Sequence, residues 1–330
     1  MSHTNPPTHT QGRMKRTALA ASFSALLLSL AACGGGGSDS TPSTPSAPAT
    51  PSTPVADQPI MDVPAPTYAA GSPELAAYNL LNDERARCGF GRLAQNTKLD
   101  YAAKMHGLYL AANQVMTHDE DPTKPAFYAA DPGARAMKAG YGSGAAEAVA
   151  PERTSDLSIR KLLAGPYHAA VILSSSFLDV GLAYTPFFLN YSTLVVNLGV
   201  QSGKTPPRVT DVRTYPCEGT VGALNSVGGE SPSPFPGESN PIWGQPVIVH
   251  GDVSLRVTSA SIIGPAGPVA IKVIYGDGQS VEPAGYFKYG SAAIIPAPLA
   301  PLTIYSVTVN GTNKGQPFTR TFRFQTGAGN

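Results

Sequence analysis

The sequence predicts an α+β chain in which a helix-rich layered domain precedes an all-β sandwich. Helix-start signals and 3.6-residue apolar spacing fill the stretch from Ser72 to Leu173, and runs of branched and aromatic residues follow from Phe177 to Val200. Beyond a Gly/Ser/Pro stretch at 228–241, short alternating segments separated by turn residues continue to the end.

Composition narrows the function classes. Of 330 residues, 42% are hydrophobic and only 14% charged, well under the roughly 25% of an average soluble domain. The formal net charge of +1 provides no basic field for phosphates, so nucleic acid is excluded as a partner. The 34 glycines and 32 prolines imply long turns and linkers. Three cysteines are too few for a disulfide scaffold or a cysteine-built zinc site.

Residues 1–32 read as a signal peptide. Arg13, Lys15 and Arg16 precede an uncharged run from Thr17 to Ala32 that contains Leu26-Leu27-Leu28 and ends in small residues. Leu30-Ala31-Ala32-Cys33 resembles a bacterial lipobox, which implies that Cys33 carries lipid and ties the protein to a membrane. An uncleaved anchor helix is the alternative. Residues 33–69 are rich in Gly, Ser, Thr and Pro, with too little apolar surface to offset the entropy of ordering. They read as a disordered linker. Gly34 after the cysteine points to an outer membrane or cell surface.

The first folded domain is expected over 70–220. Ser72-Pro73-Glu74 starts a helix with a capping hydroxyl, an N1 proline and a first-turn acid. Leu75, Tyr78, Asn79 and Asn82 continue it to Cys88-Gly89. A second helix starts at Asn96 and puts Leu99, Ala102, Ala103, His106 and Leu110 on one face. Pro132 to Gly140 is a short third helix, and 154–173 a fourth, broken at Gly165-Pro166. Phe177–Tyr184 and Phe187–Val200 read as a hairpin turning at Thr185-Pro186.

In order along this domain stand Asn79-Leu80-Leu81-Asn82 with Arg85, Val115-Met116-Thr117-His118, Arg135, Ala139-Gly140-Tyr141, Glu147, Gly165-Pro166-Tyr167-His168 and Phe177-Leu178-Asp179-Val180-Gly181. The series resembles the bacterial SCP-like branch of the CAP superfamily (cysteine-rich secretory, antigen five and pathogenesis-related proteins) over about residues 75–200. That implies a CAP-type α-β-α sandwich whose cleft floor gathers His118, Glu147, His168 and Asp179. Two departures are visible: Ala148 stands where Asn usually follows the glutamate, and Asp179 is one methylene shorter than the usual Glu.

Two neutral imidazoles and two carboxylates carry a charge near −2, which a cleft tolerates only if something compensates it. A divalent cation, zinc foremost, held by His118, His168 and Glu147, is one solution. A metal-free network in which each acid orients a histidine is the other. His106 reads as a half-buried histidine satisfied within the core, Asp119-Glu120-Asp121 as a solvated acidic loop without EF-hand spacing, and Gly140–Gly144 as a loop. Cys88 and Cys217 are expected to form a disulfide in an oxidising compartment, worth about 4–5 kcal/mol in the loop-entropy model. A reactive thiol is the alternative.

A linker over 221–241 leads to the expected β-sandwich at 242–328, with runs at 247–249, 255–257, 269–275, 292–295, 305–309 and 318–325 and a hairpin signal at Asp277-Gly278. Leu299 to Val309 resembles the tyrosine-corner stretch of bacterial Ig-like and fibronectin-type modules. Trp243 and His250 read as structural. The expected function is a membrane-anchored, exported, non-enzymatic protein whose cleft takes a divalent metal, a lipid, a small ligand, a peptide or cell-wall material. A metal-assisted hydrolase with Glu147 as general base is the alternative, and an adhesion or spacing protein with a vestigial cleft is a third reading.

Overall fold

The computed structural model describes residues 58–329 apart from Val209 and Tyr289. The signal segment and Cys33 lie outside the described residues. The first half contains α1 (Pro73–Arg87), β1 (Ala94–Gln95), α2 (Thr97–Asn113), α3 (Pro132–Lys138), β2 (Ala145–Glu152), α4 (Ser155–Ala164), α5 (Pro166–Ile172), β3 (Asp179–Phe188) and β4 (Tyr191–Gly199). The second contains β5 (Arg213–Tyr215), β6 (Thr220–Ala223), β7 (Val227–Gly228), β8 (Ile242–Trp243), β9 (Val247–His250), β10 (Arg256–Gly264), β11 (Gly267–Pro268), β12 (Ile271–Tyr275), β13 (Ser291–Pro296), β14 (Ile304–Asn313) and β15 (Gln316–Thr326).

The helices start where their capping residues stand in the sequence. Ser72, Asn96, Asp131 and Thr154 each accept a backbone N–H of the first turn of α1, α2, α3 and α4. Four strands form a mixed sheet in the order β1-β3-β4-β2, which leaves β2 at an edge. Alternation along the strands then builds three layers. Ala148, Ala150, Val180, Leu182, Leu194 and Val196 face α1, α4 and α5, whereas Ala183 and Val195 face Ala103, Tyr109 and Leu110 of α2. Gly181 lets α2 lie on β3, since a Cβ there would strike the backbone of Leu99 and Asp100.

Two local expectations change. The strand β2 (AAEAVAPE) is not signalled by the sequence because it lacks the branched and aromatic residues that mark strands. The β3–β4 hairpin reverses at Leu189-Asn190, not at Thr185-Pro186. Pro186 sits inside β3 beyond the reach of the two-residue β1, where its missing N–H is owed to no neighbour.

The second half has two facing sheets, β12-β13-β9-β5 and β11-β10-β14-β15-β6. Val247, Val249, Ala292 and Ile294 of the first meet Val257, Val307, Val309, Phe322 and Phe324 of the second. The Tyr305 hydroxyl accepts the Ala300 N–H (2.7 Å), closing the stretch before β14. The segment after β12 is not a tight hairpin: Asp277 instead accepts the N–H groups of Gln279 and Ser280, and the chain returns at β13.

No spacer separates the two halves. Strands β5 and β6, within and beside the expected end of the first domain at 220, pair with β9 and β15. The far side of the β9–β13 sheet (Ile248, Ala293, Ile295, with Tyr215, Tyr275 and Phe287) joins the same apolar cluster as α1, α4 and α5. Polar contacts reinforce this: Trp243 Nε1 donates to Ala164 O (3.0 Å), Gln245 Nε2 to Leu163 O (2.8 Å), and Arg160 to Val221 O and Gly222 O. The expected Cys88–Cys217 disulfide is present and bridges the end of α1 to the start of the second half. All the described residues belong to one compact unit.

Candidate functional site

A cavity of about 460 Å³ opens along the edge strand β2. Val149, Ala150 and Pro151 of β2 form its floor, His118 and His168 flank it, and Val227 to Ser231 with Trp243 close it from the second half. His118 comes from the loop after α2 and His168 from α5, on opposite faces of the first sheet, so the open edge lets both reach one space. Residues 221–241, expected as a linker, therefore contribute a wall of the site.

Glu147 points to the α2 face and sits in a closed ion network. The Arg135 Nη2 donates to both Glu147 oxygens (3.0 and 2.9 Å) and to His118 O (2.9 Å). Arg135 Nη1 lies 3.5 Å from Glu120 Oε1. His106 meets Glu120 Oε1 at Nδ1 (2.8 Å) and Thr117 O at Nε2 (2.9 Å), with Glu147 Oε1 3.4 Å from Nε2. Glu120 Oε2 accepts the N–H groups of Tyr128 and Ala129. The side chains of His106, Glu120, Arg135 and Glu147 are fully buried. His118, whose Nδ1 is 2.9 Å from Glu147 Oε1, is the member that reaches solvent, 46% exposed.

Glu120 therefore departs from its expected place in a solvated loop, because it anchors that loop to the core through His106 and two backbone donors. His106 is buried and satisfied as expected, and more deeply than half. Arg135, cited above only for the resemblance, supplies the positive charge that the cleft chemistry demanded.

His168 has a different partner. Its Nδ1 lies 3.0 Å from Glu230 Oε1, which also accepts the backbone N–H of Tyr167 (2.9 Å) and of His168 (3.0 Å). Gly165 has no side chain to cap α5, so Glu230 does so from more than 60 residues away. The missing side chain is also what admits Glu230, since a Cβ on Gly165 would come within 2.8 Å of its Oε1. No motif signals Glu230, which lies in a stretch that reads as linker.

Asp179 is not at this cavity. It accepts a hydrogen bond from the Tyr141 hydroxyl (3.0 Å) and from Asn96 Nδ2 (3.4 Å), tying the cap of α2 to the start of β3. The register explains the separation. Glu147 pairs through Asn197 with Gly181, and Asp179 through Gly199 with Ala145. The two acids are thus two strands, roughly 10 Å, and two residues apart. Burial, with Asp179 beside it, holds the Tyr141 hydroxyl well above the ordinary tyrosine pKa.

Glu147 is not free to join His118 and His168 as the third expected metal ligand, since both its oxygens face Arg135 and Oε1 also meets two histidines, and among the described residues no group of three or more His, Cys, Asp or Glu is placed to hold an ion. No helix of the described residues is long and apolar enough to cross a membrane.

No protein-family model matches the sequence, and no curated protein matches it. Among the solved structures that are similar in part are two surface or extracellular proteins. An outer surface protein of Borrelia burgdorferi is 18% identical with a TM-score of 0.36, over 41% of this chain and 97% of that one. An extracellular protein containing an SCP domain from Bacillus anthracis is 18% identical with a TM-score of 0.33, over 39% of this chain and 40% of that one.

Proposed function

We propose that this is an exported, surface-associated binding protein of the CAP (SCP-like) type, whose second half is an Ig-like module fused to the first. The cavity at the β2 edge is its ligand site. One observation carries the reading: a space of about 460 Å³ is walled by both halves, with two accessible histidines and an apolar floor. That volume falls within the roughly 300–1,000 Å³ of small-molecule sites. The Cys88–Cys217 disulfide supports an oxidising compartment.

The geometry weighs against the hydrolase reading. A general base needs a lone pair directed at the reacting proton. Both Glu147 oxygens are held by Arg135, and its side chain is buried.

The chain has a single tryptophan, and Trp243 lies in the cavity wall. Its fluorescence, titrated with short peptides, fatty acids, peptidoglycan fragments and Zn²⁺, is expected to shift with at least one organic class. The shift should be lost in Met116→Trp/Trp243→Phe, read from the new indole, because the larger side chain fills the mouth. No response to any organic class would overturn the reading, and tight Zn²⁺ binding abolished by His118→Ala/His168→Ala would restore the metal. Attachment through Cys33 is tested by palmitate labelling, expected in the wild type and absent in Cys33→Ala.

A further inference from the structure

Glu230 is only 2% exposed, yet it lines the cavity. Its Oε1 is fully used, by two backbone N–H groups and His168. Its Oε2 is buried and has no hydrogen-bond partner among the described residues. A buried carboxylate oxygen without a donor is costly, and no arginine or lysine among the described residues pairs with Glu230. Lys161, a cation in the same wall, is committed to Glu152 (2.7 Å). The other buried acids at this end of the molecule show the contrast, since Glu120 and Glu147 share Arg135.

We infer that Glu230 Oε2 is the receptor for an alkylammonium group of the ligand. The inference rests on the reading of the cavity as a ligand site and names the chemistry of its occupant. One oxygen is available rather than two, which suits a compact ammonium with divergent donors. A guanidinium fork needs both oxygens of a carboxylate for its bidentate grip. Val149 and Met116 in the same walls offer apolar surface to the methylenes that would carry the ammonium. The group has two sources in peptide material, a lysine-type side chain or a free amino terminus.

The test uses the full exported chain and calorimetric titration with four probes. These are Nα-acetyl-lysine amide, trialanine amide with a free amino terminus, Nα-acetyl-arginine amide and the neutral Nα,Nε-diacetyl-lysine amide. One of the two ammonium probes is expected to bind at least about tenfold more tightly than the neutral probe, as expected for a lost charge-assisted bond, and which one identifies the source. Glu230→Gln keeps an oxygen for the α5 N–H groups and is expected to erase that difference while its thermal unfolding stays cooperative. Equal binding of the neutral probe, stronger binding of the arginine probe, or an unchanged difference in Glu230→Gln would overturn the ammonium assignment and leave the cavity reading standing. Absence of binding by all four would overturn the assignment, and the cavity reading falls with it only if the Trp243 titrations are silent too. If Glu230→Gln fails to fold, the comparison of free with acetylated lysine in the wild type decides.

Discussion

Two histidine–glutamate pairs flank one cavity, and they are built on opposite principles. His118–Glu147 belongs to a closed set in which Arg135 meets both buried glutamates and His106 joins them from below. His168–Glu230 has no such cation among the described residues, and it keeps an oxygen without a donor. Residue types alone do not distinguish the pairs. What distinguishes them is how the charge is compensated: Glu147 has its own arginine, whose removal would leave a buried charge uncompensated, whereas Glu230 has none among the described residues and is proposed above to meet a ligand's ammonium instead.

The sharpest way to break the comparison is to remove the arginine. Arg135→Met leaves Glu120 and Glu147 buried without a cation, and is expected to cost about 3–5 kcal/mol in chemical denaturation. Adding Glu147→Gln to it should recover part of the loss. A cost under about 1 kcal/mol would show that the network carries no structural charge compensation.

His250 offers a third case, a half-buried histidine whose Nε2 is fully enclosed and which has no acid beside it among the described residues. It packs edge-on against Phe90, and burial, reinforced by Arg85 and Arg213, lowers its pKa to about 4. The folded value lies below the ordinary value near 6.5, so the unfolded chain takes up the proton first on acidification. This stabilising contribution is complete above about pH 6.5 and is lost as pH falls toward about 4, on the order of 3 kcal/mol in all. Denaturation measured at pH 7 and at pH 4.5 should therefore show a smaller loss in His250→Leu than in the wild type. Equal losses would remove His250 from the account.

Glu230→Ala deletes an acceptor shared by two backbone N–H groups and His168, and is expected to destabilise by about 1–3 kcal/mol, read from the melting transition. It also strips the wall of its carboxylate. His118→Ala stands last. Its exposed imidazole makes one bond to Glu147, so the stability change is expected below about 1 kcal/mol, with the effect confined to ligand titrations. If instead His118→Ala destabilises as much as Arg135→Met, the closed network includes the cavity rim and the comparison fails.

Much of the fold is legible along the chain. The caps at Ser72, Asn96 and Thr154, the break at Gly165-Pro166 and most of the later strands are local events, decided by side chains that reach their own backbone or by periodic burial. The α+β order and the cysteine pair follow from the same kind of reading. The site is legible only in part. His118, Glu147 and His168 can be named from the sequence, and the first two do touch, yet Asp179 is carried over on a resemblance that strand register does not honour.

Local sequence thus sets which segments become helix or strand, and it shows that the polar residues are too numerous for one apolar cleft. Which acid meets which histidine is settled only by the packing of distant segments. Glu120 is buried because the loop that bears it folds over His106, 14 residues back. Glu230 reaches His168 across 62 residues because β5 and β6 join the second half to the first, and because Gly165 leaves room. Periodicity reports which face of an element is apolar. Charge compensation depends on contacts between elements, and no period in the chain encodes those.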